Sequence, residues 1–263
     1  MNVVIRHGFC CYTLRAMKVI SNSLLVFAAI AAPLFSQQPT APKTAASSTA
    51  AAKKPVAPTP APISRALLNP ALLKAKAPAE FKVRFLTTKG PFVVEVHRDW
   101  SPLGADRFYN LVKNGFFNNG HFFRVVPDFV VQFGLSPSPA VNKVWQDAII
   151  QDDPVTQSNH KGSLTFASRG PNTRTTQLFI NLGENARLDG MGFSPFGTVI
   201  DGMDVVEKLY PDYGQTPEQD RIQAEGKPYL DKEFPLLDSV KLARIVVPPP
   251  VAKKPVTVVP PKK

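Results

Sequence analysis

Few residues in this 263-residue chain have the type and spacing that chemistry requires. The four histidines, at 7, 97, 121 and 160, have no spacing that would bring them together on a metal. Both cysteines, Cys10 and Cys11, lie near the N-terminal end, so the chain beyond residue 36 has no thiol. There is no Gly-x-Ser-x-Gly elbow, no phosphate-cradling glycine loop and no dinucleotide fingerprint. Asp152-Asp153 has the form of a paired acid, and its plainer reading is a solvated loop. Nucleophilic, phosphoryl-transfer and redox chemistry therefore lack their parts, and neither metal nor cofactor is expected. What remains is HFFRVVPDFVVQFG (121–134), two apolar strands joined at Pro127-Asp128, one carrying Arg124 and the other Gln132. A guanidinium is permanently charged and presents a rigid set of donors. On such strands Arg124 is either a snorkelling or salt-bridged surface residue or part of a polar site on an apolar floor.

The elements that would position this pair are legible from periodicity. EFKVRFLT (80–87) alternates apolar and polar as a half-buried strand does, and after the Lys89-Gly90 turn PFVVEVH (91–97) returns as its hairpin partner. Ser101-Pro102 marks a helix start, with a hydroxyl N-cap and proline at the first position. Leu103, Phe108, Leu111 and Val112 give that helix an apolar face, and Gly115 stops it. A long polar loop is expected from Ser136 to about His160. GSLTFAS (162–168), QLFINL (177–182), FGTVI (196–200) and SVKLARIVV (239–247) are further strands, and DGMDVVEKLY (201–210) is a second short helix. Many short strands with two helices predict a mainly β protein, a barrel capped by helices. The longer polar stretch 211–238 reads as an ordered loop that packs Tyr229, Leu230 and Phe234 back onto the barrel.

The ends are of different material. Residues 1–36 combine Arg6, Arg15 and Lys18 with the apolar run LLVFAAIAAPLF and no acid, the pattern of a secretory signal peptide. A start at Met17 gives a more conventional leader. The run is short for a membrane span, and an uncleaved anchor is the alternative. Residues 37–79 hold eight prolines and six basic residues, and 248–263 hold six prolines and four lysines. Neither stretch has an acid, and both read as extended tethers, with a brief helical or docking segment near 65–74. Dividing the net charge of +11 this way leaves 18 basic against 20 acidic residues in 80–247. The excess positive charge thus sits in the tails, which argues against a nucleic-acid face. At most it allows weak contact of the tails with an anionic envelope surface. A periplasmic or secreted protein is expected.

FFRVVPDFVVQFG, then GSLTFASRGPNTRTTQLFINL, then LDGMGFSPFGTVIDGMDVV, in that order and spacing, resemble a cyclophilin-type peptidyl-prolyl cis-trans isomerase over nearly all of 80–247. The resemblance implies a closed eight-stranded antiparallel barrel capped by two α-helices, with a proline-binding groove on its outer face. It further implies action on Pro-containing polypeptides; with the leader of residues 1–36 this reads as a monomer serving the folding of exported proteins. Arg124 matches the catalytic arginine, with Gln132 and Phe129 beside it. Val130, Phe179, Leu188 and Phe193 match the apolar proline pocket, and Ala167, Ser168 and Gln177 match residues that bind the peptide backbone. The chain also departs from the family. Arg187 replaces an aromatic residue, which predicts poor cyclosporin binding. The histidine expected after Leu188-Asp189-Gly190 is absent, and Ser168-Arg169 stand where Asn-Ala is common. These changes keep open a second possibility, a non-catalytic proline-segment-binding or chaperone module using the same groove.

Overall fold

The computed structural model describes residues 64–247. The leader, the tether up to residue 63 and the tail after residue 247 lie outside the described residues.

All eight expected strands form: β1 (Glu80–Thr87), β2 (Pro91–His97), β3 (Arg124–Val126), β4 (Val130–Phe133), β5 (Ser163–Phe166), β6 (Leu178–Asn181), β7 (Pro195–Asp201) and β8 (Val240–Ile245). They make one antiparallel sheet in the order β3-β4-β6-β5-β7-β2-β1-β8. Register shifts at Leu86/Thr87, Val93/Val94 and Leu164/Thr165 bend the sheet into a half-barrel. Because side chains alternate across a strand, Val83, Phe85, Phe92, Val94, Phe133, Leu178 and Ile180 all turn into one core. Phe85 and Phe92 stack there with centroids 4.8 Å apart.

Ladder pairing does not close the barrel. The edge strands β3 and β8 do not pair; the chain just ahead of each is joined by one isolated bridge, His121 to Ser239. Flanking bonds join Asn119 N to Val240 O (2.7 Å) and Phe122 N to Asp238 O (3.0 Å). Beyond that seam, the Val125 N–H of β3 donates to Gly214 O at 3.0 Å, so the 211–238 segment covers an edge that β8 leaves open.

Among the described residues five α-helices form where two capping helices were expected: α1 (Pro102–Lys113), α2 (Pro139–Trp145), α3 (Met203–Glu207), α4 (Gln219–Glu225) and α5 (Lys227–Glu233). α1 buries Phe108, Leu111 and Val112 as its pattern requires, while Leu103 is exposed. Its cap comes from a distance. The Ser101 hydroxyl does not cap the helix; it donates to Asp153 Oδ2 at 2.6 Å. Asp153 instead accepts from the Leu103 and Gly104 amides (3.0 and 2.9 Å), placing a carboxylate at the positive end of the helix. Asp153 is therefore a buried structural acid, not part of a solvated loop.

α4 and α5 carry Ile222, Tyr229 and Leu230 into a second apolar cluster with Phe123, Leu135, Phe234 and Leu237. The helical or docking segment expected near 65–74 forms as two short 3-10 helices, Arg65–Leu68 and Pro70–Leu72, and the 64–79 stretch packs on the domain at Leu67 and Ala77 while most of its residues stay exposed. Leu67 is fully buried, its carbonyl accepts from Trp145 Nε1 (2.8 Å), and Ala77 N donates to Asp106 (2.7 Å). Leu67 and Ala77 of the expected tether are thus anchored to the domain, ahead of the expected boundary at 80.

Candidate active site

Strand register builds the site. Arg124 pairs across the ladder with Gln132, and Gln132 in turn with Phe179. Three side chains from three strands therefore stand in one row, at the usual strand spacing of about 4.8 Å. One residue along, Val125, Val131 and Ile180 point the other way, into the core. The alternation that fills the barrel thus turns this row outward. Val130, two residues from Gln132, joins Phe179 and Leu188 in a small buried cluster, with Phe129, Ala167 and Phe193 packed around it. The Phe179 and Phe193 rings meet edge to face, with centroids 5.7 Å apart.

The three-residue turn Pro127–Phe129 holds Asp128 at φ 59°, and it sets Phe129 beside the cluster. Gly134, at φ 101°, ends β4 and admits a close approach. A Cβ there would lie 2.4 Å from Thr176 O and 3.0 Å from Gln177 Cα. That approach brings Gln177 to Gln132, whose Nε2 donates to Gln177 Oε1 at 2.8 Å. Gln132 Oε1 accepts from Arg124 Nη1 at 3.1 Å. Ala167 N donates to Gln177 O (2.9 Å), fixing the end of β5 against the same chain.

All ten residues singled out in the sequence line a single open cavity of about 570 Å³: Arg124, Phe129, Val130, Gln132, Ala167, Ser168, Gln177, Phe179, Leu188 and Phe193. A cavity of this size suits a peptide segment. Among the described residues no carboxylate lines it, so Arg124 has a neutral partner and its remaining donors are unspent. Partial burial lowers the Arg124 pKa, without threatening its charge near neutrality. Its guanidinium lies 5.5 Å from the Phe129 ring centre, and that of Arg187 lies 4.8 Å from the same ring. Arg187 thus occupies the rim as a cation over an aromatic face. Among the described residues no group of three or more His, Cys, Asp or Glu side chains is placed to hold a metal.

Sequence reasoning missed the far half of the cavity. There it is lined by Trp145, Gln146 and Ile149 of α2 and its end, by Thr175, and by Gln219 and Gln223 of α4. Arg107 supports this half from beneath. It donates to Ala148 O (2.6 Å) and Thr175 O (2.8 Å) and lies 5.1 Å from the Trp145 ring centre. Burial, with Arg174 nearby, pulls its pKa down to about 10.

Comparison with known proteins matches residues 82–227 to the family model described as cyclophilin type peptidyl-prolyl cis-trans isomerase/CLD. A peptidyl-prolyl cis-trans isomerase of Acinetobacter baylyi is 33% identical over 148 residues, covering 54% of this chain and 79% of that protein. Peptidyl-prolyl cis-trans isomerase B of Escherichia coli is 32% identical over 135 residues, 48% of this chain and 82% of that one. A crystal structure of a cyclophilin type peptidyl-prolyl cis-trans isomerase of Cryptosporidium parvum aligns with a TM-score of 0.49 at 22% identity, covering 65% of this chain and 99% of that one. The matched segment takes in more than half of the chain and every strand that builds the outward row. On that footing the chain belongs to the cyclophilin-type peptidyl-prolyl cis-trans isomerase family.

Proposed function

We infer that the protein is a peptidyl-prolyl cis-trans isomerase whose reaction is centred on Arg124. The observation that carries this reading is a partly buried arginine without a carboxylate partner beside an apolar pocket. Rotation about a peptide bond has a barrier of about 20 kcal/mol, and an Xaa-Pro bond unaided takes tens to hundreds of seconds. No bond breaks, so the reaction needs no nucleophile and no cofactor. It needs a site that binds the twisted amide more tightly than either planar form.

Phe129, Val130, Phe179, Leu188 and Phe193 hold the proline ring, so the carbonyl before it does the turning. As the amide twists, the prolyl nitrogen regains its lone pair. Arg124 donates to that nitrogen, a fixed cation aimed at charge that develops only in transit. Gln132 keeps the guanidinium in plane, and Gln177 and Ala167 bind the peptide backbone. An Ala-Pro peptide tests the activity directly. Its cis/trans exchange, followed by NMR, is expected to accelerate with substoichiometric full chain, and an unchanged exchange rate would refute the reading.

The clients proposed are exported polypeptides. The support is the basic, then apolar, acid-free leader of residues 1–36 and the proline-rich stretch after it. N-terminal sequencing of the protein recovered from outside the cytoplasm is expected to begin after Ala31, Ala32 or Ser36. An intact leader on a membrane-bound protein would contradict export by cleavage.

A further inference from the structure

The groove does not end where the proline site does. Past Gln177 it continues between two helices that lie outside the eight-stranded sheet, with Trp145 and Ile149 on one side and Gln219 and Gln223 on the other. The second side is built by the segment that covers the β3 edge, so it is tied to the strand bearing Arg124. Ile222 anchors α4 inward, and Asn142 Nδ2 of α2 donates to Ile222 O at 3.3 Å, joining the two sides. Gln219 and Gln223 are one turn apart, on the same face of α4. Both are half-buried. Unlike Gln132 and Gln177, which bond to each other, neither has a hydrogen-bond partner among the described residues.

An amide side chain offers two donors and a two-lone-pair acceptor. Two of them, one helical turn apart along a groove, match the alternating N–H and C=O groups of an extended main chain. We propose that α2 and α4 form an extended binding wall for the main chain of a proline-containing polypeptide flanking its Xaa-Pro pair, with Gln219 and Gln223 hydrogen-bonding that chain. This rests on the isomerase reading and deepens it: the preferred substrate is a long unfolded segment, not a short peptide. Backbone recognition makes the preference independent of sequence, which suits an enzyme acting on many unfolded chains. The exposed Ile149 side chain adds an apolar contact along the same path.

The test uses the full chain and two peptides with the same central Ala-Pro, one with single flanking residues and one extended by several residues on both sides. The expected kcat/KM is on the order of tenfold higher for the long peptide, from two added hydrogen bonds. In Gln219→Ala/Gln223→Ala the long-to-short ratio is expected to fall to near one, mainly through KM. A parent that treats both lengths alike, or a double variant that keeps the full ratio, overturns the proposal. Failure to accelerate the short peptide would instead refute the isomerase reading, so the two failures are distinct. Titration of the long peptide into isotope-labelled parent supplies a measurement that needs no variant. Shifts in the side-chain amides of Gln219 and Gln223 are expected, and their absence on saturation overturns the wall.

Discussion

Two arginines of this domain, Arg174 and Arg124, differ in what surrounds them. Arg174 is 3% exposed and paired with two carboxylates. Its Nη2 meets Asp153 at 3.0 Å and the Gln151 carbonyl, and its Nη1 lies 3.4 Å from Ser101 Oγ. Its Nε stands 3.1 Å from Asp152, a charge contact without hydrogen-bond alignment. Asp153 in turn caps α1, so one knot ties the helix to the 150–153 stretch and to the chain before β6. Arg124 is half-buried with one neutral acceptor, Gln132, and faces an open cavity. A buried cation with its charge compensated is closed to a ligand. One held by an amide keeps donors in reserve, at a desolvation cost visible in its lowered pKa. The partner's charge, more than burial, separates the structural arginine from the functional one.

The sharpest way to break this comparison is to remove a partner. Asp153→Ala takes the buried carboxylate from Arg174, leaving only the Asp152 contact, and uncaps α1, and is expected to cost about 3–5 kcal/mol in denaturant unfolding. Arg124→Ala, by contrast, is expected to change unfolding stability by less than about 1 kcal/mol. Equal losses from the two substitutions would erase the distinction.

A third basic group sharpens it. His121 is buried at the barrel seam, and burial, with Lys227 nearby and Asp231 only partly offsetting, lowers its pKa to about 4. Unfolded histidine titrates near 6.5, so between those values the unfolded chain binds the extra proton. Stability from His121 is therefore complete above about pH 6.5 and falls as pH drops toward 4, by on the order of 3 kcal/mol. His121→Gln is expected to flatten the parent's stability loss across that window. A variant with the parent's slope would place the titration elsewhere.

The smallest effect concerns Arg187, exposed over Phe129. Arg187→Glu is expected to shift the ratio of kcat/KM for an acidic over a basic Pro-containing peptide by about fivefold at low salt, from about 1 kcal/mol of rim interaction. The shift is expected to shrink as salt screens it. A ratio unchanged at low salt would remove Arg187 from substrate selection.

β1 and β2 were legible because alternation survives in short segments: EFKVRFLT and PFVVEVH turn alternate residues into the core as their pattern demands. α2, α4 and α5 were not. Each is seven residues long, too short to show helical periodicity, and each is held by distant groups such as the bond from Lys227 N to Pro137 O. The cap of α1 was hidden for the same reason, since its acceptor Asp153 lies some fifty residues away. For Arg124 the residue types alone favoured a snorkelling or salt-bridged surface residue over a site. Family resemblance, not periodicity, singled out the residues around it. The far half of the groove escaped both routes, because it is assembled from segments that read as loops.

The most direct test compares the full chain with Arg124→Ala and Arg124→Lys in NMR exchange of one Ala-Pro peptide. The account predicts that alanine lowers the acceleration by on the order of 10²–10³ while the peptide still binds, the scale seen when one aligned transition-state donor is lost. Lysine, a charge without the planar fork, should recover little of it. Acceleration surviving in Arg124→Ala to within a few-fold of the parent would contradict the account, whatever the fold.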